Sequence, residues 1–267
     1  KHLGALLPSR RGHRAHLVVG RDGARDPRCW PVGERVEPLG AKTGFDGKAR
    51  ARFILGEDEG IASLYAAVVN DLHRAAGRSG VGTVMGSKNL KAIAVRGTLG
   101  VGNLRDPAAF MKAATAAKKV LADNAVTGQG LPKFGTQVLM NVINEIGALP
   151  TRNHRDVQFE GAKDISAEAM HEPRKTDGKP NLVTNQACFG CTIACGRISK
   201  IDETHYTVQN RPQYWGASGG LEYEAAWALG SANGVTAPAA LSSASVTRNV
   251  HGFVPISFGA TVGAVME

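Results

Sequence analysis

Three of the four cysteines in this 267-residue chain lie within eight residues, in the stretch CFGCTIACGR. Cys188, Cys191 and Cys195 form a C-x2-C-x3-C pattern, in which the first two sulfurs can sit on one turn and face one centre. A [4Fe–4S] cluster takes four thiolates, often three from such a compact run and one from a distant residue. The small neighbouring residues leave room for iron and sulfide. The pattern therefore favours an iron–sulfur cluster.

Two other interpretations of the cysteine run stay open. Zinc usually needs a second ligand pair with its own spacing, and the sequence has no further C-x2-C or H-x3-H. The three thiols can also be buried without any metal. Cys29 has no cluster-like surroundings, so we interpret it as an incidental thiol. Clustered cysteines without a disulfide framework indicate a reducing compartment, and we expect a cytoplasmic protein.

The composition restricts the partners. Lys and Arg number 32 against 23 acidic residues, and the net charge of +9 raises the question of nucleic-acid binding. The basic residues are spread along the chain, and aromatic residues make up only 6%, so stacking platforms for bases are scarce. No apolar run approaches the roughly 20 residues that a membrane-spanning helix needs. We expect neither nucleic acid nor membrane as a partner; the positive charge suits an anionic cofactor.

The first hundred residues mix predicted strands with one helix. The stretches AHLVV (15–19) and AIAV (92–95) are typical of strands. Between Ile61 and Leu72, apolar residues recur at helical spacing, which predicts a helix that stops near Gly77. The glycine-rich, basic stretch that follows is predicted to be a bare turn. Together with the carbonyls at the helix end, this turn could hold a phosphate with a bridging Mg²⁺.

The remaining residues are predicted to be mostly helical, which makes the chain α+β with a boundary near residue 100. Helices are expected from Asp106 and from Thr136, each acting as an N-cap, and at 222–229 and 238–250. The predicted buried face of the first helix consists of Phe110, Met111, Ala114, Ala117 and Leu121. That of the second consists of Val138, Leu139, Val142, Ile143 and Ile146. Residues 128–135 are predicted to be a glycine loop, and residues 147–186 irregular or short-helical.

Long stretches of the sequence resemble one known family. NDLHRAAGRSGVGTVMGSKNLKAIAVRG (70–97) closely resembles a segment of the tungsten-containing aldehyde ferredoxin oxidoreductases. The resemblance continues, in the same order and spacing, with GLPKFGTQVLMNVINEIGALP (130–150), ACFGCTIACGR (187–197) and EYEAAWALG (222–230), and it fades over residues 248–267. It implies that residues 1–99 are the remnant of a β-rich pterin-cofactor-binding base domain. Residues 100–267 would then be a partial helical domain that carries the cysteine motif.

The resemblance also implies a set of cofactors. Members of this family hold tungsten, or sometimes molybdenum, between two pterin dithiolenes whose phosphates are linked by Mg²⁺. It places a backbone carbonyl ligand of that Mg²⁺ at Ala75, with Arg74 nearby. Cys188, Cys191 and Cys195 match three of the four ligands of a [4Fe–4S] cluster, and the fourth family cysteine lies downstream of this sequence.

Three further positions match family residues around the metal. Glu224 matches a glutamate that handles protons, and we expect it in a dry pocket with a perturbed pKa. Asn249 and Gly252 match a pterin-binding D-x-x-G-L-D/C stretch, which reads N-V-H-G-F-V here. The first acid has become an amide and the last position is Val254, so this pterin contact departs from the family pattern.

The implied activity is the oxidation of an aldehyde with water to a carboxylic acid, with electrons passing through the pterin and the cluster to ferredoxin. Because the sequence begins with Lys1 and is far shorter than a family member, we expect a fragment. The alternatives are a truncated, non-catalytic remnant, a split subunit completed by a partner or a second copy, a simple iron–sulfur or zinc module without pterin, and a basic nucleic-acid binder.

Overall fold

The computed structural model describes residues 104–267 and, before them, residues 18–19, 50–54, 66–70, 74–87 and 92–96. The chain divides into two compact units, Lys1–Pro107 and Ala108–Glu267. The boundary predicted between residues 99 and 100 lies outside the described residues. Helices together with small antiparallel sheets confirm the α+β class. Among the helices that the structure describes, none combines the length and the apolar character that crossing a bilayer requires.

The first unit contains a five-stranded antiparallel sheet. Its strands, in chain order, are β1 (Val18–Val19), β2 (Arg50–Ile54), β3 (Val68–Asn70), β4 (Arg74–Ala76) and β5 (Ala92–Arg96). They lie side by side in the order β1-β5-β2-β3-β4, and every neighbouring pair is antiparallel. The strand predicted at 92–95 is confirmed. Of the strand predicted at 15–19, only Val18 and Val19 are described.

The helix predicted before Gly77 is wrong where the structure describes that segment. Strands β3 and β4 form a hairpin there, with Val69 opposite Ala75. Val68 and Val69 are both buried, although a strand with one solvated face buries only every second residue. A strand covered on both faces is a continuous apolar run, which periodicity does not separate from a buried helix. Two features favour the strand over a helix here. The two valines are β-branched, and β3 pairs with β2 on the side opposite β4.

The glycine-rich stretch is not the bare turn that was predicted. A short 3₁₀ turn, Arg78–Gly80, leads into helix α1 (Val81–Ser87). A Cβ at Gly82 would lie 2.4 Å from the backbone oxygen of Ala66, so glycine is needed for α1 to approach the chain just before β3. At least this glycine therefore serves the packing of a helix on the sheet.

The second unit combines helices with a small sheet. Its longer helices are α2 (Pro107–Asp123), α4 (Leu139–Glu145), α5 (Tyr223–Leu229), α6 (Pro238–His251) and α7 (Pro255–Met266), and α3 (Leu131–Phe134) is a single turn. The sheet has the order β6-β7-β8, with β6 at Leu182–Gln186, β7 at Gly196–Ser199 and β8 at Ser218–Gly219. The helices predicted at Pro107, at 222–229 and at 238–250 are confirmed. Helix α7 and the three strands were not predicted.

The predicted glycine loop at 128–135 is helical instead. A π-helical turn spans Ala125–Gly130 and continues into α3. Asn124 caps it, because its Oδ1 accepts hydrogen bonds from the backbone N–H of Val126 at 2.9 Å and of Thr127 at 3.1 Å. A side-chain cap thus supplies two of the partners that the first N–H groups of a helical turn lack.

The predicted buried face of α2 is wrong, and of the face predicted for the second helix only Ile143 packs against the core. Phe110 and Met111 of α2 are more than half exposed, as are Val142 and Ile146 around α4. The buried side chains of the second segment are Met140 and Gln137. A 3₁₀ turn, Gly135–Val138, precedes α4, and its three residues per turn shift the phase of every side chain that follows.

The hydrophobic core of the second unit lies between α4, α5, α6 and the irregular segment that connects α4 to the sheet. Its buried side chains include Met140, Leu149, Phe159, Ile165, Met170, Leu221, Leu229 and Leu241. A smaller cluster of Ile201, Val208, Tyr214 and Val246 lies beside α6. Helix α7 packs on α5 at Gly259, where a Cβ would stand 2.2 Å from the carbonyl oxygen of Ala228.

The contact of α7 with α5 gives a matched pair of substitutions. Gly259→Ala should destabilise the unit by about 1–3 kcal/mol, because the methyl group has no room and overpacking outweighs the gain in helix propensity. At Gly263, one turn later, the nearest atoms to a Cβ are 3.4 Å away, so Gly263→Ala should be neutral or stabilising by up to about 1 kcal/mol. Urea unfolding measures both. Equal stability of the two variants would contradict this packing.

Candidate functional site

The three clustered cysteines lie on the loop that joins β6 to β7, which we call the cysteine loop (residues 187–195). The pair Gln186 and Gly196 closes its base. Cys188 and Cys191 are exposed, Cys195 is partly buried, and none of the three forms a disulfide. The hairpin therefore presents three thiols at one end of the small sheet.

The backbone of the cysteine loop is held by short-range hydrogen bonds. The N–H of Cys191 donates to the carbonyl oxygen of Cys188 at 3.0 Å, and the N–H of Ile193 points at Cys191 Sγ at 3.4 Å. Gly190 and Ala194 have positive φ angles of 71° and 52°. An N–H directed at sulfur stabilises a thiolate, which is the form that binds metal.

The sulfurs do not converge on one point in this structure. Within the described part of the chain, no group of three or more His, Cys, Asp or Glu side chains has metal-binding geometry. The donor set of three thiols on one loop, with an N–H directed at a sulfur, nevertheless fits a thiophilic metal or an iron–sulfur cluster.

A side-chain pair below the loop fixes it to another segment. Asn185 and Arg197 are opposite each other in the β6–β7 ladder, one position beyond the closing pair. Arg197 Nη1 donates to the carbonyl oxygen of Lys133 at 2.8 Å and to Asn185 Oδ1 at 3.2 Å. Asn185 Nδ2 donates to the carbonyl oxygen of Pro132. We call this arrangement the Asn185–Arg197 pair; it ties the hairpin to helix α3.

Gly135 shows how closely α3 approaches the cysteine loop. Its φ of 61° lies in the region that favours glycine. A Cβ there would be 2.9 Å from the carbonyl oxygen of Cys195 and 2.7 Å from Cδ of Arg197. Any side chain at this position would therefore push the last part of the cysteine loop away from α3.

His171 lies on the other side of the Arg197 guanidinium. Its Nε2 is 3.3 Å from Arg197 Nη2, and its ring meets Phe134 edge-on with centroids 5.8 Å apart. Because Arg only donates, Nε2 must accept, which requires a neutral ring. Partial desolvation and then the charge of Arg197 lower the pKa of His171 below its ordinary value of 6.5.

Thr136 and Glu222 join the start of α5 to the same region. Thr136 Oγ1 donates to Glu222 Oε2 at 2.6 Å and accepts from the backbone N–H of Tyr223 at 3.1 Å. Thr136 was predicted to cap the helix that follows it, but its hydroxyl satisfies the first turn of α5 instead. This contact spans 86 residues of sequence, which no local pattern reveals.

Glu224 lies in the first turn of α5 and is exposed, not enclosed in the expected dry pocket. Its Oε2 accepts a hydrogen bond from Trp227 Nε1 at 2.8 Å. The bond joins residues three positions apart on one helix, so it orients the carboxylate without burying it. The role of Glu224 in proton transfer stays a prediction.

Asn249 and Gly252 lie at the end of α6. Asn249 is buried, and its Nδ2 donates to Ser218 Oγ at 2.8 Å and to the carbonyl oxygen of Gly219 at 2.9 Å. The amide that replaces the family acid therefore bonds to β8. Gly252 adopts a left-handed conformation that ends α6, and its N–H donates to the carbonyl oxygen of Arg248. Neither observation tests pterin binding, which stays a prediction.

Arg74 and Ala75 lie on β4, at one edge of the five-stranded sheet. The Mg²⁺ argument from a helix end no longer holds at Ala75, because the segment is a strand and has no helix dipole. Backbone carbonyls along the outer side of an edge strand can bind a cation. Ala75 is exposed and Arg74 is partly buried.

The sequence interpretation overlooked the polar residues that surround the cysteine loop. Arg197, Asn185, His171 and Glu222 come from three separate segments, so no single motif contains them. One signal was available: Arg197 follows Cys195 and Gly196 directly and stands in an otherwise uncharged strand.

Comparisons with known proteins assign the family. Residues 112–267 match the family model for domains 2 and 3 of aldehyde ferredoxin oxidoreductase, and residues 48–97 match its N-terminal domain. The chain belongs to the aldehyde ferredoxin oxidoreductase family.

Several curated members of the aldehyde ferredoxin oxidoreductase family are close in sequence. The chain is 42% identical over 203 residues to a tungsten-containing aldehyde ferredoxin oxidoreductase of Thermococcus kodakarensis and to one of Pyrococcus abyssi. The corresponding protein of Pyrococcus furiosus is 41% identical over the same length. Each match covers 76% of this chain and 30% of the relative. The chain therefore spans less than a third of the length of these relatives.

An isosteric substitution tests how much the hydrogen bonds of the Thr136 hydroxyl contribute to stability. Thr136→Val keeps the shape but leaves the Glu222 carboxylate and the N–H of Tyr223 without this partner, which should cost about 1–3 kcal/mol of unfolding free energy. Thr261→Val, at an exposed position of α7, is the control and should change stability by less than about 0.5 kcal/mol. Equal stabilities of the two variants in urea unfolding would contradict the linking role of Thr136.

The lowered pKa of His171 predicts how stability depends on pH. The unfolded state takes up a proton near pH 6.5, but the folded state does so only at lower pH. Stability is therefore fully present above about pH 6.5 and declines as the pH falls toward the folded pKa. His171→Asn should remove this part of the decline, measured by urea unfolding between pH 8 and pH 5. His154→Asn serves as the control, and an identical pH profile in both variants would argue against the His171–Arg197 contact.

Proposed function

We propose that the chain is part of an enzyme that oxidises aldehydes to carboxylic acids and passes the electrons through a [4Fe–4S] cluster to ferredoxin. Membership of the family and the names of the relatives support the aldehyde, ferredoxin and tungsten parts of this proposal. The observation that carries the cluster is the hairpin loop with three thiols and an N–H directed at Cys191 Sγ. The proposed setting is cytoplasmic.

Cys188, Cys191 and Cys195 are the proposed cluster ligands of this chain. A fourth thiolate would come from outside the described loop, as the family resemblance implies. When bound, the cluster accepts and releases single electrons. The cysteine loop contributes thiolates, the N–H of Ile193 lowers the basicity of one of them, and exposure of the loop leaves its sulfurs accessible to an electron carrier.

Tungstopterin is the proposed catalytic cofactor, with molybdenum as the alternative metal. When bound, it supplies the oxygen and two-electron chemistry. Arg74 would neutralise a phosphate, and the outer edge of β4 around Ala75 would supply a carbonyl to the bridging Mg²⁺. Because Asn249 bonds to β8, we propose that its contribution is to position the end of α6, and with it Gly252, beside the pterin.

Glu224 is the proposed proton acceptor of the intact enzyme. Trp227 Nε1 occupies Oε2, which leaves Oε1 for a proton from water or substrate. The Glu224 carboxylate is exposed, so a catalytic role would require that a further part of the protein cover it and exclude water. A subunit that completes a split enzyme could provide such a cover.

Anaerobic purification followed by elemental analysis tests the proposal. The 267-residue chain, reconstituted with iron and sulfide in the presence of dithiothreitol as a fourth thiolate, should bind about four irons and four sulfides. Tungsten or molybdenum in the purified protein would support the pterin site independently. Zinc alone, or no metal at all, would contradict the cluster.

Single cysteine substitutions identify the ligands. Cys188→Ser, Cys191→Ser and Cys195→Ser should each lose most of the bound iron and the visible absorption of the cluster, because a serine oxygen is a poor ligand for iron in this setting. Cys29→Ser is the matched control and should keep both. Iron loss in the control, or retention in all three loop variants, would show that the thiols on the hairpin are not the ligands.

A further inference from the structure

We propose that Arg197 is a positioning residue for the iron–sulfur cluster, which holds the cysteine loop in place and favours the reduced cluster through its buried positive charge. The inference rests on the proposed cluster. Arg197 lies two residues after Cys195 and is the second residue of β7, the strand that follows the loop. Its role follows from its burial, its contacts and its uncompensated charge.

Arg197 is fully buried, with no exposed side-chain surface, and it is the largest side chain in the described part of the chain with that property. A buried charge is costly unless hydrogen bonds or an opposite charge compensate for it. Three contacts are present: the Lys133 carbonyl, Asn185 Oδ1 and His171 Nε2. All three partners at these contacts are neutral.

No carboxylate touches the guanidinium among the described residues, and Nε has no hydrogen-bond partner there. Glu222 and Glu168 attract the charge only from a distance. The Glu222 carboxylate, moreover, accepts the hydrogen bond of Thr136. The described residues around Arg197 therefore balance its positive charge only in part.

The arginine side chain passes close to the end of the cysteine loop. A Cβ at Gly135 would lie 2.9 Å from the Cys195 carbonyl oxygen and 2.7 Å from Arg197 Cδ. Four thiolates around a [4Fe–4S]²⁺ core carry a net charge of −2, and one added electron makes it −3. No bond forms or breaks in this step. A nearby buried cation stabilises the more negative state and therefore raises the reduction potential.

The same contacts explain why arginine is suited to this position. Its planar fork reaches Lys133, Asn185 and His171 at once, while a lysine offers one ammonium centre and cannot keep all three distances. Asn185 completes the arrangement from β6 by donating to the Pro132 carbonyl. Because both strands that carry the loop are tied to α3, the positions of Cys188 and Cys195 are set relative to the same helix.

Four variants of the reconstituted 267-residue chain test the proposal. Arg197→Gln removes the charge, and Arg197→Lys keeps the charge without the fork. Asn185→Asp adds a negative charge beside an intact guanidinium, and it remains informative if Arg197→Gln does not fold. Arg174→Gln is the matched control: Arg174 bonds to Asn181 and to the Lys200 carbonyl at the opposite end of the same hairpin, and Asp177 balances its charge.

The first readout is the reduction potential of the cluster, measured by dithionite titration followed by electron paramagnetic resonance. Arg197→Gln and Asn185→Asp should make reduction at least about tenfold less favourable, or about 59 mV for one electron. Arg197→Lys should shift it less, and Arg174→Gln should match the wild type. Clusters of unchanged potential in Arg197→Gln and Asn185→Asp would overturn the electrostatic role.

The second readout is amide hydrogen exchange of the chain without cluster. Arg197→Gln and Arg197→Lys should accelerate exchange in residues 131–136 and in the cysteine loop, while Arg174→Gln should act at residues 174–181. Unchanged exchange around the loop would overturn the positioning role. A wild-type chain that binds no cluster would overturn the proposed function and the electrostatic role with it, and the exchange data would still decide whether Arg197 holds the loop.

Discussion

The arrangement of the cysteine loop in the second unit depends on the fully buried guanidinium of Arg197 and its hydrogen bond to the backbone of α3. Arg197 joins β7 to α3 through the Lys133 carbonyl and to β6 through Asn185. Gly135 permits the close approach, because any side chain there would collide with the arginine and with the cysteine loop. A three-stranded sheet this small would otherwise be marginal in water, so its attachment to the helices determines where its thiols lie.

Around this attachment the polar residues form a continuous set. Thr136, in the turn after α3, forms hydrogen bonds with Glu222 and with the first N–H of α5. Helix α5 also contains Glu224. Thus the segment 131–136 contacts both the loop with the proposed cluster ligands and the helix with the proposed proton acceptor. Three residues of this segment, Pro132, Lys133 and Thr136, each form a hydrogen bond with a residue far away in sequence.

The sequence predicted the parts of the fold that local chemistry controls. Pro107 began a helix, AIAV formed a strand, and the cysteine spacing indicated a loop that suits a cluster. Prediction failed where tertiary contacts decide. Val68 and Val69 form a strand because they pair with β2 on one side and β4 on the other, and a 3₁₀ turn rotates α4 away from its expected buried side. The sequence around Arg197 offered a signal for that residue, but the partners of the Asn185–Arg197 pair could not be predicted, since they are the backbone carbonyls of Pro132 and Lys133, which carry no sequence signal.

The Gly135 contact has a consequence for transplanting the thiol-bearing hairpin into another scaffold. The two ends of residues 182–199 are adjacent, so the segment looks like a self-contained unit that could be exchanged between proteins. A host that lacks a glycine and two accepting carbonyls at matching positions would leave Arg197 without the backbone acceptor that Lys133 supplies and Asn185 without the one that Pro132 supplies. The smallest portable piece of this protein is therefore discontinuous: the hairpin together with the turn 131–136.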